Sequence, residues 1–248
     1  MNLILFEDVF ESVRLEKEDP RAQHLHKVLN VKAGDLVFLG FVNGLRARSR
    51  VTSIASDGSI ELKVMGTESS PQLLPIVLMI GLPRPHTARR ILFEAASLGV
   101  AALHFFSADH SEPSYAKSRL WQTHEWRERI LRGTEQAFRT HLPQVEMHVD
   151  IKSAMTAQER SAVRLALDNY EAKGAIGQFL PDTCGNVVVA LGPERGWSAS
   201  ERTLFRNSGW ELAHIGPSVL RAETACVATV AAVATKLNFW RTQTRTAL

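Results

Sequence analysis

The sequence predicts an α/β protein in which a small β-barrel precedes a domain with a mainly parallel sheet. Two turn signals, Asn43-Gly44 and Asp57-Gly58, lie between β-rich segments and predict antiparallel hairpins. Beyond residue 70, short apolar segments alternate with helical patterns, which is typical of parallel sheets with crossover helices. Two of these segments, 187–191 and 210–215, each end at a Gly-Pro pair. Loops that follow such strands lie at the carboxyl edge of the sheet, where open α/β sheets bind ligands.

Local signals predict each element of the first 70 residues. Asp19 is a favourable N-cap and Pro20 suits the first helical position, so we expect a helix that runs to about Leu29. Three strands follow as a meander, at about 36–41, 45–54 and 59–65. The segment 66–75 is short, polar and punctuated by two prolines. We therefore predict two domains, 1–70 and 71–248.

The second domain is predicted to contain six strands with helices between most of them. The strands are expected at 76–82, 100–106, 144–149, 163–168, 187–191 and 210–215. A long helix is predicted from about Leu120 to His141. Ser198 and Glu201 have the spacing of a capping box, so another helix begins near Ser198. An almost uncharged final helix begins at about Ala222.

Composition is that of an ordinary globular protein, with 248 residues, 45% hydrophobic content and a net charge of +3. Cys184 and Cys226 lack metal or redox spacing, which favours reduced thiols and a cytoplasmic location without a metal site. The uncharged segment 224–235 is too short to cross a bilayer. Glu7 and Asp8 interrupt the apolar start of the chain, so we predict no secretory signal and no membrane partner.

The two Gly-Pro loops are the predicted ligand site. No G-x-G-x-x-G segment follows a predicted strand and no Walker A sequence is present, which disfavours a Rossmann-type or P-loop site. Glycine permits close approach of the backbone to a ligand. Backbone groups near Leu191, Gly192, Ile215, Gly216 and Leu220 could therefore contact a bound ligand.

Four segments resemble a known family. GPERGWSASE at 192–201 and IGPSVLRAETA at 215–225 are similar to the paired signature of SPOUT-class RNA methyltransferases, and within them of the RsmE family. HLHKVLNVKAGD at 24–35 and EQAFR at 135–139 resemble further segments of that family. The resemblance implies a PUA-like barrel, a trefoil-knotted domain that binds S-adenosylmethionine, and a homodimer. It also implies methylation of uridine N3 in 16S ribosomal RNA of the small subunit.

The resemblance adds specific roles within the two loops. It extends the cofactor-binding set by Pro193, Gly196, Ala222 and Thr224. Methyl transfer to N3 requires loss of a proton, and a nearby cation would stabilise the uracil anion. Arg221 is the candidate cation, and Glu194 or Glu223 is the candidate proton acceptor. For Glu223 the alternative is a favourable carboxylate in the first turn of a helix, without a catalytic role.

Several basic residues are candidate RNA contacts. Arg46, Arg48 and Arg50 alternate along a predicted strand, so a period of two places them on one face. Guanidinium groups suit phosphate oxygens, although the solvated face of a barrel strand is an equal alternative. The remaining candidates are Lys27, Arg139 in the long predicted helix, and Arg195, which stands where the family pattern has glycine.

Two further hypotheses stay open at this point. The chain could methylate another RNA position, or it could be a degenerate RNA-binding module that has lost catalysis, as the altered loop at Arg195 would allow. The final helix also has two interpretations: an interface between two copies, or burial within one subunit.

Overall fold

The computed structural model describes residues 3–159 and 161–240, which divide into two compact units. The first unit contains the chain up to Gln72 together with Thr134–Leu142, and the second contains Leu73–Gly133 and the chain from Pro143 onward. The chain first passes from one unit to the other between Gln72 and Leu73, close to the boundary that the sequence predicts between residues 70 and 71. The return of Thr134–Leu142 to the first unit was not expected from the sequence.

A curled, mixed sheet of five strands forms the first unit. The strands are β1 (Ile4–Phe6), β2 (Ser12–Leu15), β3 (Leu36–Phe41), β4 (Arg46–Ile54) and β5 (Ile60–Glu68), in the order β1-β3-β4-β5-β2. β1 pairs parallel with β3, whereas β3-β4, β4-β5 and β5-β2 are antiparallel. The predicted meander is therefore confirmed, and β1 and β2 extend it to a half-barrel.

Turns and caps in this unit follow from local sequence. Asn43 and Gly58 have φ values of 57° and 90° in the two hairpin turns, a left-handed conformation that Asn and Gly adopt at low cost. The side chain of Asp19 accepts a hydrogen bond of 2.8 Å from the backbone N–H of Arg21. This cap starts α1 (Pro20–Lys27), which ends two residues earlier than predicted.

The returning segment packs against bare backbone in the sheet. Thr140 is fully buried. Its hydroxyl donates a hydrogen bond of 2.6 Å to the carbonyl of Gly44, and its N–H donates one of 3.0 Å to the hydroxyl of Ser70. A Cβ at Gly40 would lie 2.6 Å from the Thr140 methyl carbon. Gly40 is therefore required by the close approach of this segment.

The second unit is built on a seven-stranded sheet in which every pairing is parallel. Its strands are β6 (Leu74–Gly81), β7 (Val100–Phe106), β8 (Gln144–His148), β9 (Val163–Leu167), β10 (Gly174–Ala175), β11 (Val187–Leu191) and β12 (Glu211–His214). Their spatial order is β10-β12-β9-β11-β6-β7-β8. All six predicted strands are present, so the predicted α/β fold class is confirmed. The predicted trefoil knot stays a prediction.

Helices connect most of these strands. They are α2 (Pro85–Leu98), α3 (Arg119–Gln122), α4 (Glu125–Gln136), α5 (Ile151–Thr156), α6 (Ile176–Phe179), α7 (Ala199–Asn207) and α8 (Ala222–Lys236), with a 3₁₀ helix at Pro113–Lys117. The prediction of one helix from Leu120 to His141 is wrong, because His124 has a φ of 57° between α3 and α4. Arg139 lies beyond the end of α4. None of the helices in the described ranges combines the length and apolar character needed to cross a bilayer.

Candidate active site

The carboxyl ends of β9, β11 and β12 meet at one edge of the second unit's sheet. These strands are parallel and follow the order β12-β9-β11, so β9 lies between the two strands that end at Gly-Pro. A cavity of about 600 Å³ opens at this edge. Its walls come from the loops after the three strands, from the start of α2 and from the first turn of α8.

Most of the predicted site residues line this cavity. From the predicted cofactor set these are Leu191, Gly192, Pro193, Gly196, Ile215, Leu220 and Ala222, and from the predicted catalytic set Arg221, Glu194 and Glu223. Gly216 and Thr224 are not among its lining residues. Gly216 has a φ of 141°, a conformation that favours glycine, so it shapes the backbone of the second loop.

The first loop closes through a tight turn that accommodates Arg195. The N–H of Gly196 donates a hydrogen bond of 2.8 Å to the carbonyl of Pro193. The left-handed backbone falls on Gly196, whose φ is 67°, and Arg195 is not among the described residues with positive φ. A Cβ at Gly192 would lie 3.2 Å from the Cα of Gly196, so the two glycines let the loop fold back on itself. The arginine side chain is exposed and lines the cavity.

Glu194 joins this loop to the start of α2. Its Oε1 accepts hydrogen bonds of 3.0 Å from the N–H of Arg84 and 3.2 Å from the hydroxyl of Thr87. Arg84 is the N-cap of α2 and supplies no capping hydrogen bond from its own side chain. The carboxylate therefore satisfies a free N–H at a helix start, where negative charge is favourable.

Arg221 and Glu223 differ in their partners. Arg221 is the exposed N-cap of α8, and within residues 3–159 and 161–240 its guanidinium has no hydrogen bond or ion pair. Glu223 lies in the first turn of the same helix with 14% of its side chain exposed. Its Oε1 accepts a hydrogen bond of 3.2 Å from Arg90. Arg221 is therefore one of three cavity arginines, with Arg84 and Arg195, whose guanidinium groups have no partner within the described residues, and it lies beside a carboxylate that is already paired.

The loop after β9 contributes residues that sequence reasoning missed. Asp168 is buried and accepts hydrogen bonds from the N–H groups of Tyr170 and Glu171, at 2.5 and 2.8 Å. Its other oxygen forms an ion pair with Arg202 of α7. The Arg202 guanidinium carbon lies 5.3 Å from the centre of the exposed Tyr170 ring. The signal that could have found them is the polar Asp-Asn pair directly after a buried strand.

Comparison with known proteins identifies the family. A family model described as an RNA methyltransferase domain matches residues 69–234. Ribosomal RNA small subunit methyltransferase E from Treponema pallidum is 30% identical, over 97% of this chain and 93% of the relative. The chain belongs to this family, RsmE. Ribosomal RNA small subunit methyltransferase E 1 from Borreliella burgdorferi is 27% identical, over 96% of this chain and 99% of that protein.

A solved structure shows that the fold is shared. The RsmE from Neisseria gonorrhoeae, crystallised bound to S-adenosyl methionine, matches with a TM-score of 0.79 and 22% identity. The match covers 95% of this chain and 97% of the other. The predicted family, fold class and enzyme class, an rRNA methyltransferase, are therefore confirmed.

Trp197 stands where the RsmE pattern has phenylalanine, and the structure accommodates it. The residue is buried at 2% exposure and stacks on Phe106 with 6.1 Å between ring centres. It also packs edge-on against Phe205 at 4.9 Å. Its indole N–H donates a hydrogen bond of 2.8 Å to the carbonyl of Leu167, the last residue of β9. The larger ring thus ties the first loop to the neighbouring strand.

The segment 108–111, which follows β7, forms hydrogen bonds that support the first loop. Glu201 is buried and accepts hydrogen bonds from the N–H groups of Asp109 and Ser198, at 2.9 and 2.8 Å. Hydrogen bonds from the hydroxyls of Ser198 and Ser200 lower the pKa of Asp109. His110 Nδ1 lies 3.0 Å from the carbonyl of Gly196. The segment 108–111 therefore holds the first loop through hydrogen bonds to α7 and to the loop backbone.

The predicted RNA contacts in the first unit differ in availability. Arg48, Arg50 and Lys27 are exposed. Arg46 forms an ion pair of 2.7 Å with Glu68 and is only partly exposed. Arg139 donates a hydrogen bond of 2.9 Å to the carbonyl of Gln72. Burial of the Arg139 guanidinium and the nearby positive charge of Arg46 both lower the pKa of Arg139. Arg46 and Arg139 are thus engaged within the unit, whereas the side chains of Arg48 and Arg50 have no hydrogen bond or ion pair within the described residues.

Proposed function

We propose that this RsmE-family chain transfers a methyl group from S-adenosylmethionine to N3 of a uridine in 16S ribosomal RNA. The substrate is the RNA of the small ribosomal subunit in the cytoplasm. The observation that carries the proposal is the guanidinium of Arg221, which has no partner among the described residues, at a cavity lined by the two Gly-Pro loops.

The cavity fits the methyl donor. Its volume of about 600 Å³ lies within the range of roughly 300 to 1,000 Å³ that small-molecule sites occupy. The Gly192 and Gly196 backbones approach closely, and the absence of side chains at both positions permits close approach of a purine. The Neisseria gonorrhoeae relative crystallised with S-adenosyl methionine supports this choice of cofactor. When bound, the cofactor supplies a methyl group already activated by its sulfonium.

Arg221 stabilises the charge that develops on the uracil. N3 attacks only after its proton has left, and the resulting negative charge spreads onto the ring oxygens. A guanidinium without a protein partner can donate hydrogen bonds to one of these oxygens without breaking an existing ion pair. Its position at the N-terminus of α8 places a second favourable field, that of the helix dipole, at the same point.

Glu223 is the better candidate for the proton acceptor. Glu194 already holds two donors at the start of α2, so its removal would disturb the loop itself. Glu223 pairs with Arg90 through Oε1 and lines the same cavity wall as Arg221. We infer that Glu223 accepts or orients the N3 proton, whereas Glu194 positions the first loop.

RNA binding completes the proposed function. The target uracil must be unpaired or flipped out because N3 lies on its Watson–Crick edge. Exposed Arg48, Arg50 and Lys27 supply donors for phosphates in the first unit, and Arg195 supplies one at the cavity.

The active form is proposed to be a homodimer that uses α8. One face of α8 is buried in the chain through residues that include Cys226, Val230 and Val233. Val227 and Ala231 are only partly buried, so an uncharged strip remains for a second copy. Analytical ultracentrifugation tests this proposal, and a monomer at micromolar concentration would contradict it.

Single-turnover methyl transfer to unmodified small subunits tests the catalytic proposal. We expect Arg221→Ala to lower the rate by about 100-fold or more while S-adenosylmethionine binding persists in calorimetry. Arg119→Ala is the matched control, because Arg119 is an exposed arginine of α3 outside the cavity and its guanidinium, like that of Arg221, has no partner among the described residues. An unchanged rate for Arg221→Ala would remove its proposed role. A wild-type chain that binds RNA but neither binds the cofactor nor transfers label would favour the degenerate binding module.

A further inference from the structure

A cluster of two histidines and one glutamate lies on β7 and β8, at the β8 edge of the second unit's sheet. The strands that end at the cavity, β12, β9 and β11, lie towards the other edge. His104 is on β7, and Glu146 and His148 are on the edge strand β8. The parallel register pairs His104 with Glu146, and the period of two along a strand places Glu146 and His148 on one face. The three side chains therefore project from the same face of adjacent strands.

Distances within the cluster suit a single metal ion. His104 Nδ1 lies 2.8 Å from His148 Nε2, and Glu146 Oε2 lies 3.6 Å from each of these nitrogens. Three points with those separations lie on a circle with a radius of about 2.0 Å, which matches zinc–nitrogen and zinc–oxygen bonds of about 2.0 to 2.2 Å. An ion near the centre of the cluster would thus reach all three atoms with little movement.

We propose that His104, Glu146 and His148 form a binding site for a divalent transition-metal ion of the zinc type. Two imidazoles and one carboxylate are a donor set that Zn²⁺, Co²⁺, Ni²⁺ and Cu²⁺ accept and that Mg²⁺ or Ca²⁺ does not prefer. A tetrahedral ion would take a water as its fourth ligand. The two nitrogens would move apart by about half an ångström to reach the tetrahedral angle.

Burial holds the two histidine rings of the cluster in place before a metal ion binds. His104 is 7% exposed and His148 has 12% of its side chain exposed, so both rings are fixed by packing. Their planes are nearly parallel, at 16°. Glu146 has half of its side chain exposed and opens the cluster to solvent.

The proposal is distinct from a simple pair of histidines. Without a metal, one ring donates an N–H to the other at 2.8 Å, and Glu146 lies 3.6 Å from each of these nitrogens, beyond hydrogen-bond distance. With a metal, all three residues are ligands and the ion clamps the edge strand β8 to β7. Glu146 therefore separates the two cases.

Cobalt titration of the untagged, metal-free chain tests the site. We expect one equivalent of Co²⁺ to produce the visible absorption of a four-coordinate ion, which Zn²⁺ then abolishes by displacement. His148→Ala and Glu146→Gln are each expected to weaken Co²⁺ binding by about 100-fold. His24→Ala and Glu112→Gln are the matched controls, and both should bind Co²⁺ as the wild type does.

Circular dichroism of each variant shows whether it is folded. Glu146→Gln changes a half-exposed side chain, so this variant keeps the test informative if a histidine variant unfolds. Absence of saturable binding by the wild type would overturn the proposal. So would wild-type affinity in the Glu146→Gln and His148→Ala variants, which would leave a hydrogen-bonded histidine pair. Neither result affects the proposed methyl transfer.

Discussion

At the scale of single residues, Arg195 shows how a family position can change without loss of the loop. The turn needs left-handed backbone only at Gly196, so residue 195 need not be glycine. The altered residue is therefore compatible with an intact cofactor loop, and its exposed charge is free for another use.

We expect Arg195→Gly to weaken RNA binding by about fivefold, because one exposed phosphate contact contributes on the order of 1 kcal/mol. Affinity for S-adenosylmethionine should stay the same, since the turn takes its left-handed backbone at Gly196 and does not depend on the side chain at position 195. Fluorescence anisotropy with an rRNA fragment measures the first quantity and calorimetry the second. Arg195→Lys, which retains the charge, is the control, and equal RNA affinity in all three proteins would remove the proposed contact.

The two glutamates of the cavity lead to opposite expectations for the same substitution. Gln at position 194 keeps an acceptor oxygen for the N–H of Arg84, so Glu194→Gln should retain most of the methyl-transfer rate. Gln at position 223 cannot accept a proton, so Glu223→Gln should lose about 100-fold or more. Rates at saturating S-adenosylmethionine measure both. The reverse order, with the larger loss at position 194, would assign the proton to Glu194.

At the scale of elements, α2 and α4 are joined by a charged cluster in the second unit. Glu125, the first residue of α4, accepts hydrogen bonds of 2.7 and 2.9 Å from Arg89 of α2, in a bidentate arrangement. Arg129, one turn further along α4, donates a third at 2.7 Å. Hydrogen bonds from these two arginines lower the pKa of Glu125 to about 2.

This pKa predicts a pH-dependent contribution to stability. A carboxyl group with a lowered folded-state pKa stabilises the protein above its ordinary pKa of 4.5 and loses that effect as the pH falls towards about 2. We expect Glu125→Gln to reduce the free energy of unfolding by about 1 kcal/mol at pH 7, since the pair is partly solvated. Urea titrations at pH 7 and pH 3 measure the difference, which should shrink at pH 3. Exposed Glu128→Gln is the control, and a difference that persists unchanged at pH 3 would contradict the assignment.

Elements were predictable where their signals are local. The caps at Asp19 and Ser198 have their partners within three residues, and Asn43 sits at a hairpin turn, so the sequence contains the whole cause of each. The predicted helix through His124 failed because a single left-handed residue interrupts it without a glycine or proline to signal the break. The predicted strand boundaries lie close to the observed ones for the same reason, because the turn signals stand next to the strands in the sequence.

At the scale of the whole molecule, the sequence predicted the two Gly-Pro loops but not the strand order that brings β9 between them. The family motifs named most residues of the cavity wall, but the insertion of β9 between β11 and β12 depends on strand pairing that no local pattern encodes. The ion pair of Asp168 with Arg202 and the meeting of His104 with His148 were missed for that reason. The return of Thr134–Leu142 to the first unit belongs to the same class of long-range effects.

The most direct test of the central claim is the identity of the methylated nucleoside. Small subunits from a strain that lacks this modification would be incubated with the purified chain and labelled S-adenosylmethionine, and the digested RNA would be analysed by mass spectrometry. The proposed function predicts 3-methyluridine as the labelled product, and its loss with Arg221→Ala. A different labelled nucleoside, or no transfer to subunits or to naked rRNA, would contradict the claim.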